Sequence, residues 1–191
     1  MIFINKKQEP KSLLKYRVNK RNLADITYDN FRDKDDVRDA LLAEQGHICA
    51  YCMQRITKDK MKIEHFACQS NNSELELNFS NMLGCCMGGH GNSKEYQHCD
   101  TRKNDEIIKF NPSNPHHKNL LKIYYDRNGL ISSEDEEFDK NLNEILNLNL
   151  EFLKNNRKAV LEQLYESFEK VKGTATKKDW EKKLLNFRNP N

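Results

Sequence analysis

The sequence predicts an α+β protein: a small zinc-stapled core, a further small hairpin beside it, and a helical C-terminal region. Three observations carry that expectation. Cysteines at metal-ligand spacing bracket the middle of the chain, beginning with Cys49-Ala50-Tyr51-Cys52 and closing with Cys86 and Cys99. Short runs of β-type residues separated by turn residues fill the same region. From Glu134 onward, apolar residues recur at helical spacing.

The elements are expected as follows. Residues 1–35 are polar and basic, with Lys6, Lys7, Lys11, Lys15, Arg17, Lys20 and Arg21 interleaved among Leu13, Leu14, Tyr16 and Val18. They read as an irregular arm lying on the domain, with contact to phosphates as the alternative. Asp35 to Gln45 reads as a helix, because Val37, Leu41 and Leu42 share one face and Gly46 follows as a cap. Met53–Thr57 and Met61–Phe66 read as a hairpin joined by Lys58-Asp59-Lys60. Asn81 to about Cys86 reads as the start of a helix capped by Asn78 or Ser80. The glycine-rich Met87–His98 stretch reads as a loop, and Asp100–Glu106 as a short helix.

Strands are expected over Ile107–Phe110, Leu121–Tyr125 and Leu130-Ile131, with Asn128-Gly129 turning the last two into a hairpin. Two helical stripes follow: Phe138, Leu142, Ile145 and Leu153, then Val160, Leu161, Leu164, Phe168 and Val171, stopped by Gly173. Thr176 is placed to cap a last helix carrying Trp180, Leu184 and Leu185. The division falls near residue 133. Residues 1–133 form the core with its arm, and residues 134–191 form a helical region that docks on a partner or caps the core.

Composition narrows the function classes. With 37% hydrophobic and 32% charged residues among 191, the core is modest and benefits from a metal staple. A net charge of +3 neither demands nor excludes nucleic acid. No apolar run approaches the roughly 18 residues of a membrane span. Met1 to Lys7 is too poor in apolar residues for a secretory signal, so a cytoplasmic setting is expected. There, six cysteines point to metal rather than to disulfides.

Zinc takes soft thiolates in a tetrahedron, and a C-x-x-C turn offers two from one knuckle. Cys49 and Cys52 supply the first pair. The second comes from Cys68, Cys85, Cys86 and Cys99; adjacent Cys85 and Cys86 do not both suit one ion. The set taken is Cys49, Cys52, Cys86 and Cys99. Buried apolar thiols and a redox C-x-x-C are the competing readings, and no βαβ pattern supports the second.

Between these ligands lie Glu64-His65 and Asn81. A neutral imidazole at His65 can act as general base. Glu64 and Asp100 offer oxygen ligands to a catalytic Mg²⁺ or Mn²⁺ ion, and Asn81 can fix the imidazole through its amide. In a regular strand Glu64 and His65 point to opposite faces. His98 beside Cys99 and His90 in the glycine-rich loop are further candidates, His47 competes as a zinc ligand, and His116-His117 reads as a loop feature.

This order of residues is similar to the HNH endonucleases, whose core is a ββα-metal fold. Asn81-Met82-Leu83-Gly84-Cys85-Cys86 matches that family's step from an asparagine to a cysteine five residues on, which favours Cys86 over Cys85. Cys99-Asp100 stands where the family closes with Cys-His or Cys-Asn, and twelve residues separate Cys86 from Cys99 where two are usual. The longer pattern resembles the PtuB nucleases of Septu antiphage systems and some retron systems. That pattern is Glu44-Gln45-Gly46 leading into Cys49-Ala50-Tyr51-Cys52, then Ile63-Glu64-His65-Phe66, Asn81 to Cys86, Cys99-Asp100-Thr101-Arg102-Lys103 and Leu146-Asn147-Leu148-Asn149. The resemblance implies cleavage of DNA, or of tRNA or other RNA. It also implies a PtuA-like ATPase partner and, where a retron is present, its reverse transcriptase and msDNA. The competing class is a non-catalytic zinc-stapled adaptor.

Overall fold

The computed structural model describes residues 1–18, 26–169 and 176–179. In chain order, α1 is Lys11–Val18, α2 Lys34–Gln45, β1 Lys62–His65, β2 Met82–Cys85, α3 Cys99–Lys103, β3 Ile123–Tyr125, β4 Ile131–Ser133, α4 Glu136–Lys140 and α5 Glu151–Glu169. A π-helical turn, Asn141–Ile145, extends α4. Two antiparallel sheets of two strands each, β1–β2 and β3–β4, make the arrangement α+β.

Helix α2 forms as the periodicity requires. Val37, Leu41, Leu42 and Gln45 are buried, and Asp35 and Asp36 sit in the first turn, where the helix dipole favours acids. Gly46 ends it in the left-handed region at φ +64°, its N–H returning to the Leu42 carbonyl. The hairpin β3–β4 forms, but its turn is centred on Arg127-Asn128, one residue before the expected Asn128-Gly129: the Gly129 amide returns to the Asp126 carbonyl, and the Asp126 carboxylate accepts from the Asn128 and Leu130 amides. Gly129 is required twice over. Its φ is +77°, and a Cβ there would lie 2.2 Å from the Lys154 carbonyl of α5.

Three sequence expectations are corrected. Asn81 to Cys86 is not a helix: Met82–Cys85 is a strand buried at every position. An apolar run with no exposed face carries no period, so helix and strand look alike in sequence. Its partner is β1, in the register Glu64↔Leu83 and His65↔Met82. The segment before β1 is therefore no hairpin arm. Met53 takes φ +63° in the knuckle, Arg55 makes one isolated bridge to Ile48, and Lys58–Lys60 is a 3₁₀ turn. Ile107–Phe110 is not a strand either; the Lys109 amide bonds to the Asn141 side chain, and Ile108 and Phe110 are buried.

The N-terminal segment is more than an irregular arm. It contains α1 and buries Met1, Ile4, Leu13 and Phe31 in the core. Lys6 is spent internally, on Glu44 and on the Met82 carbonyl. Arg17 is held by Glu9 and the Leu77 carbonyl. Lys20 and Arg21 lie outside the described residues, as do Val171, Gly173, Trp180, Leu184 and Leu185.

One hydrophobic cluster joins these parts, running from Leu13, Val37 and Tyr51 through Leu83 to Phe138, Leu142, Leu146 and Leu153. Asp135 caps α4 by accepting from the Phe138 amide, and Arg157 of α5 donates to the Gly129 and Leu148 carbonyls. Among the described residues no helix is long and apolar enough to cross a membrane.

Candidate metal centre and catalytic cleft

The four predicted cysteines meet. The sulfurs of Cys49, Cys52, Cys86 and Cys99 all lie within 4.8 Å of one another, and all four residues are buried. Tetrahedral thiolates about 2.3 Å from a zinc ion sit about 3.8 Å apart. The Cys49–Cys99 and Cys52–Cys86 sulfur distances are 3.9 and 3.7 Å. Disulfides need about 2.05 Å, so the spacing is that of a metal cage. All six cysteines are free thiols.

Burial opposes ionisation of Cys49, but hydrogen bonds from Cys52, Cys85, Cys86 and Cys99 outweigh it and hold that thiol well below its usual range. Burial and its sulfur neighbours push Cys99 well up. Four buried sulfurs drawn together at this spacing suit a bound cation better than a dry core.

His98 lies against this cage, with Nδ1 3.2 Å from the Cys99 sulfur and 3.8 Å from that of Cys86. His47 is not among the clustered ligands. His117 accepts from the Asn111 amide, a loop-holding bond. Cys68 is half-buried and away from the cage, though it lines the cleft described next.

That cleft is polar and open, ≈ 410 Å³ in volume, and Glu64, His65, His90 and Asp100 all line it. Strand β1 brings Glu64 and His65, and α3 brings Asp100. The Nε2 of His65 lies 2.8 Å from the Glu76 carbonyl. A carbonyl only accepts, so Nε2 carries the hydrogen and Nδ1 is left as the basic nitrogen. Burial lowers the proton affinity of this imidazole, with the Glu76 carbonyl and the charges of Glu76 and Asp100 opposing the shift. The ring of Tyr28 packs edge-on against it at 4.5 Å.

Glu64 is 4% exposed. Its Oε1 accepts from the Tyr51 hydroxyl at 3.0 Å and pairs with the Lys103 ammonium at 2.9 Å. Burial, then the neighbouring Asp100 carboxyl, pushes Glu64 well above the usual carboxylate range, while Lys103 pulls it back. Asp100 pairs with Lys62 at 3.3 Å. Two carboxyls in hydrogen-bond reach of each other are a donor set that a hard divalent ion relieves of its repulsion.

Asn81 does not touch the imidazole. Its amide donates to the Ala67 and Leu75 carbonyls and accepts from the Ala67 amide. It thus pins the 67–75 loop, and the Glu76 carbonyl at the end of that loop holds His65 in its place. Sequence reasoning missed this carbonyl, which carries no side-chain signal. It also missed Tyr51 and Lys103. Lys103 was legible in principle, since it lies three residues after Asp100 on one short helix.

The fold and site define an α+β protein with four buried cysteines at metal-ligand spacing beside a polar cleft lined by His65, His90, Glu64 and Asp100. No family model matches the chain. It is similar to a Vibrio cholerae (serotype O1 biovar El Tor) protein named "Retron Vc95 putative HNH endonuclease". The two are 24% identical over 168 residues, which span 84% of this chain and 80% of that protein.

Proposed function

We propose that the protein is a metal-dependent HNH-type endonuclease that hydrolyses phosphodiester bonds in nucleic acid. The observation that carries the reading is His65: an imidazole tied at Nε2, free at Nδ1 and set in one cleft with Glu64 and Asp100. Strands β1 and β2 followed by α3 supply the order expected of a ββα-metal core. The likeness to the Vibrio cholerae protein supports the same class.

Cys49, Cys52, Cys86 and Cys99 would hold structural zinc, and Glu64 and Asp100 would hold Mg²⁺ or Mn²⁺. A divalent ion at those carboxylates supplies charge stabilisation to the scissile phosphate and its leaving oxygen. The rest falls to the chain. Nδ1 of His65 takes a proton from water as the water oxygen attacks phosphorus, and the bond from phosphorus to the leaving oxygen breaks. Lowered proton affinity keeps His65 neutral, as a base must be at pH 7. Asn81 acts as a positioning residue through the loop that ends at Glu76.

We infer a setting in antiphage defence, with a PtuA-like ATPase and a retron reverse transcriptase and its msDNA as partners; the retron in that relative's name supports the retron part of this reading. Residues 134–191 would serve as the docking or capping region. The test is cleavage of DNA and of tRNA with Mg²⁺ or Mn²⁺, with and without the neighbouring gene's product. His65→Ala should abolish cutting at unchanged zinc content. Retained cutting in that variant overturns the assignment. A parent chain that cuts nothing under all these conditions would make it a zinc-stapled adaptor.

A further inference from the structure

We propose that an aromatic pocket next to the cleft is a subsite that stacks one unpaired nucleobase of the strand held in the cleft; the proposal rests on the nuclease reading above. The pocket has a volume of ≈ 830 Å³, room for a base with its sugar. Tyr96 and Phe152 line it, and they are 60% and 45% exposed. Exposed rings of this kind are stacking platforms for bases, because every base has a π-face.

The Tyr96 turn is held rigidly although its ring is exposed. Asn147 donates to the Glu95 and Gln97 carbonyls at 3.0 and 2.9 Å, and Arg102 donates to the Lys94 carbonyl at 2.8 Å. Gly89 closes in beneath it at φ +71°, where a Cβ would meet the Tyr96 carbonyl at 2.7 Å. Three side-chain bonds and a required glycine fix the backbone that carries this solvent-facing ring, which spares a ligand the cost of ordering the turn.

The second wall is fixed too. Phe152 packs on His98 at 5.2 Å between ring centroids. His98 is 4% exposed, and its Nδ1 is engaged by the cage sulfurs. The Nε2 of His98 has no hydrogen-bond partner among the described residues.

The loop that carries Tyr96 also builds the cleft. His90 and Gln97 line the cleft, while Gly89, Tyr96 and His98 line the pocket. A strand lying in the cleft would therefore run along the same loop that presents the Tyr96 ring to the pocket. A paired base cannot enter without leaving its stack, so the subsite selects unpaired or flipped nucleotides.

The test uses the full chain carrying His65→Ala, so that nothing is cut. Binding of a labelled single strand, as DNA and as RNA of the same sequence, is read by fluorescence anisotropy, with a duplex alongside. Tyr96→Ala and Phe152→Leu should each weaken single-strand binding about 5- to 150-fold, the range for loss of one stacked base. Tyr96→Phe and Phe152→Tyr should bind like the parent, and duplex binding should change little. A 2-aminopurine in the strand should be quenched by the parent and not by Tyr96→Ala. Weakening of one sugar type alone supports the subsite and names the strand it takes. Single-strand binding unchanged in both ring-removing variants, or no binding by the parent, overturns it. If the chain cuts nothing yet this binding pattern holds, the nuclease reading fails and the subsite stands.

Discussion

Lys103 is the sharpest place to test the electrostatics of the cleft. Its side chain is 0% exposed and that of its partner Glu64 is 4% exposed, at 2.9 Å. Lys103→Met removes the ammonium at nearly constant volume and strands a carboxylate among Tyr51, Asp100 and apolar side chains. Breaking a buried pair on one side costs about 3–5 kcal/mol. For a chain of this size that is a fall of roughly 6–20 °C in melting temperature.

Glu64 limits the loss by taking a proton. Its carboxyl is already held well above the usual range, and loss of Lys103 raises it further. A carboxyl raised in the folded state binds more protons there than in the unfolded chain. Stability then falls as pH rises from the unfolded value of 4.5 toward the folded one. The deficit of Lys103→Met should therefore grow with rising pH once the pH passes the parent's own raised Glu64 value. Adding Glu64→Gln removes the charge while keeping an acceptor for Tyr51, and the double variant should regain most of the loss. Urea unfolding at several pH values, as a double-mutant cycle, measures this. A double variant no more stable than Lys103→Met, or a deficit that shrinks with rising pH, refutes the reasoning.

Three further outcomes are expected. Cys99→Ser should lose the bound zinc and melt well below the parent, whereas Cys85→Ser should keep one zinc per chain, since Cys85 is outside the cage; metal analysis showing the reverse would mean the ligand set is wrong. The pH profile of kcat/KM should hold level down to about 6.5, the ordinary histidine value, and fall only below it, because burial lowers His65; a midpoint above pH 7 would contradict this. Asn81→Ala strips three bonds from Ala67 and Leu75, which should cost about 1–3 kcal/mol and lower kcat more than it changes KM; an unchanged melting temperature with unchanged kcat would remove Asn81 from the positioning role.

How much of this could be read in advance depends on the physics each residue obeys. Gly46 and Gly129 are legible because their left-handed backbone conformations exclude most other residues. The cage was legible because a C-x-x-C knuckle has few other uses in such a chain. Met82 to Cys86 misled because burial on both faces erases periodicity, and because β1 pairs with a strand that begins seventeen residues after its own end. The opposing faces of Glu64 and His65 were expected from strand geometry. That expectation does not foresee a buried lysine and tyrosine drawing Glu64 inward while the Glu76 carbonyl holds His65 at the cleft.

The cage and the cleft are one mechanical unit. Cys86 directly follows β2, whose partner β1 carries Glu64 and His65. Cys99 begins α3, which carries Asp100 and Lys103. From the knuckle, the Ala50 amide donates to the Gly84 carbonyl of β2, and Tyr51 reaches Glu64. Four sulfurs on one ion would thus fix the knuckle, the end of β2 and the start of α3 against one another, and Glu64, His65, Asp100 and Lys103 all hang from β1 or α3. The Cys99 amide also donates to the Leu146 carbonyl, so the segment after α4 clamps the same helix start from the other side. A metal held by those sulfurs would in this way set the distance between the His65 imidazole and the Asp100 carboxylate.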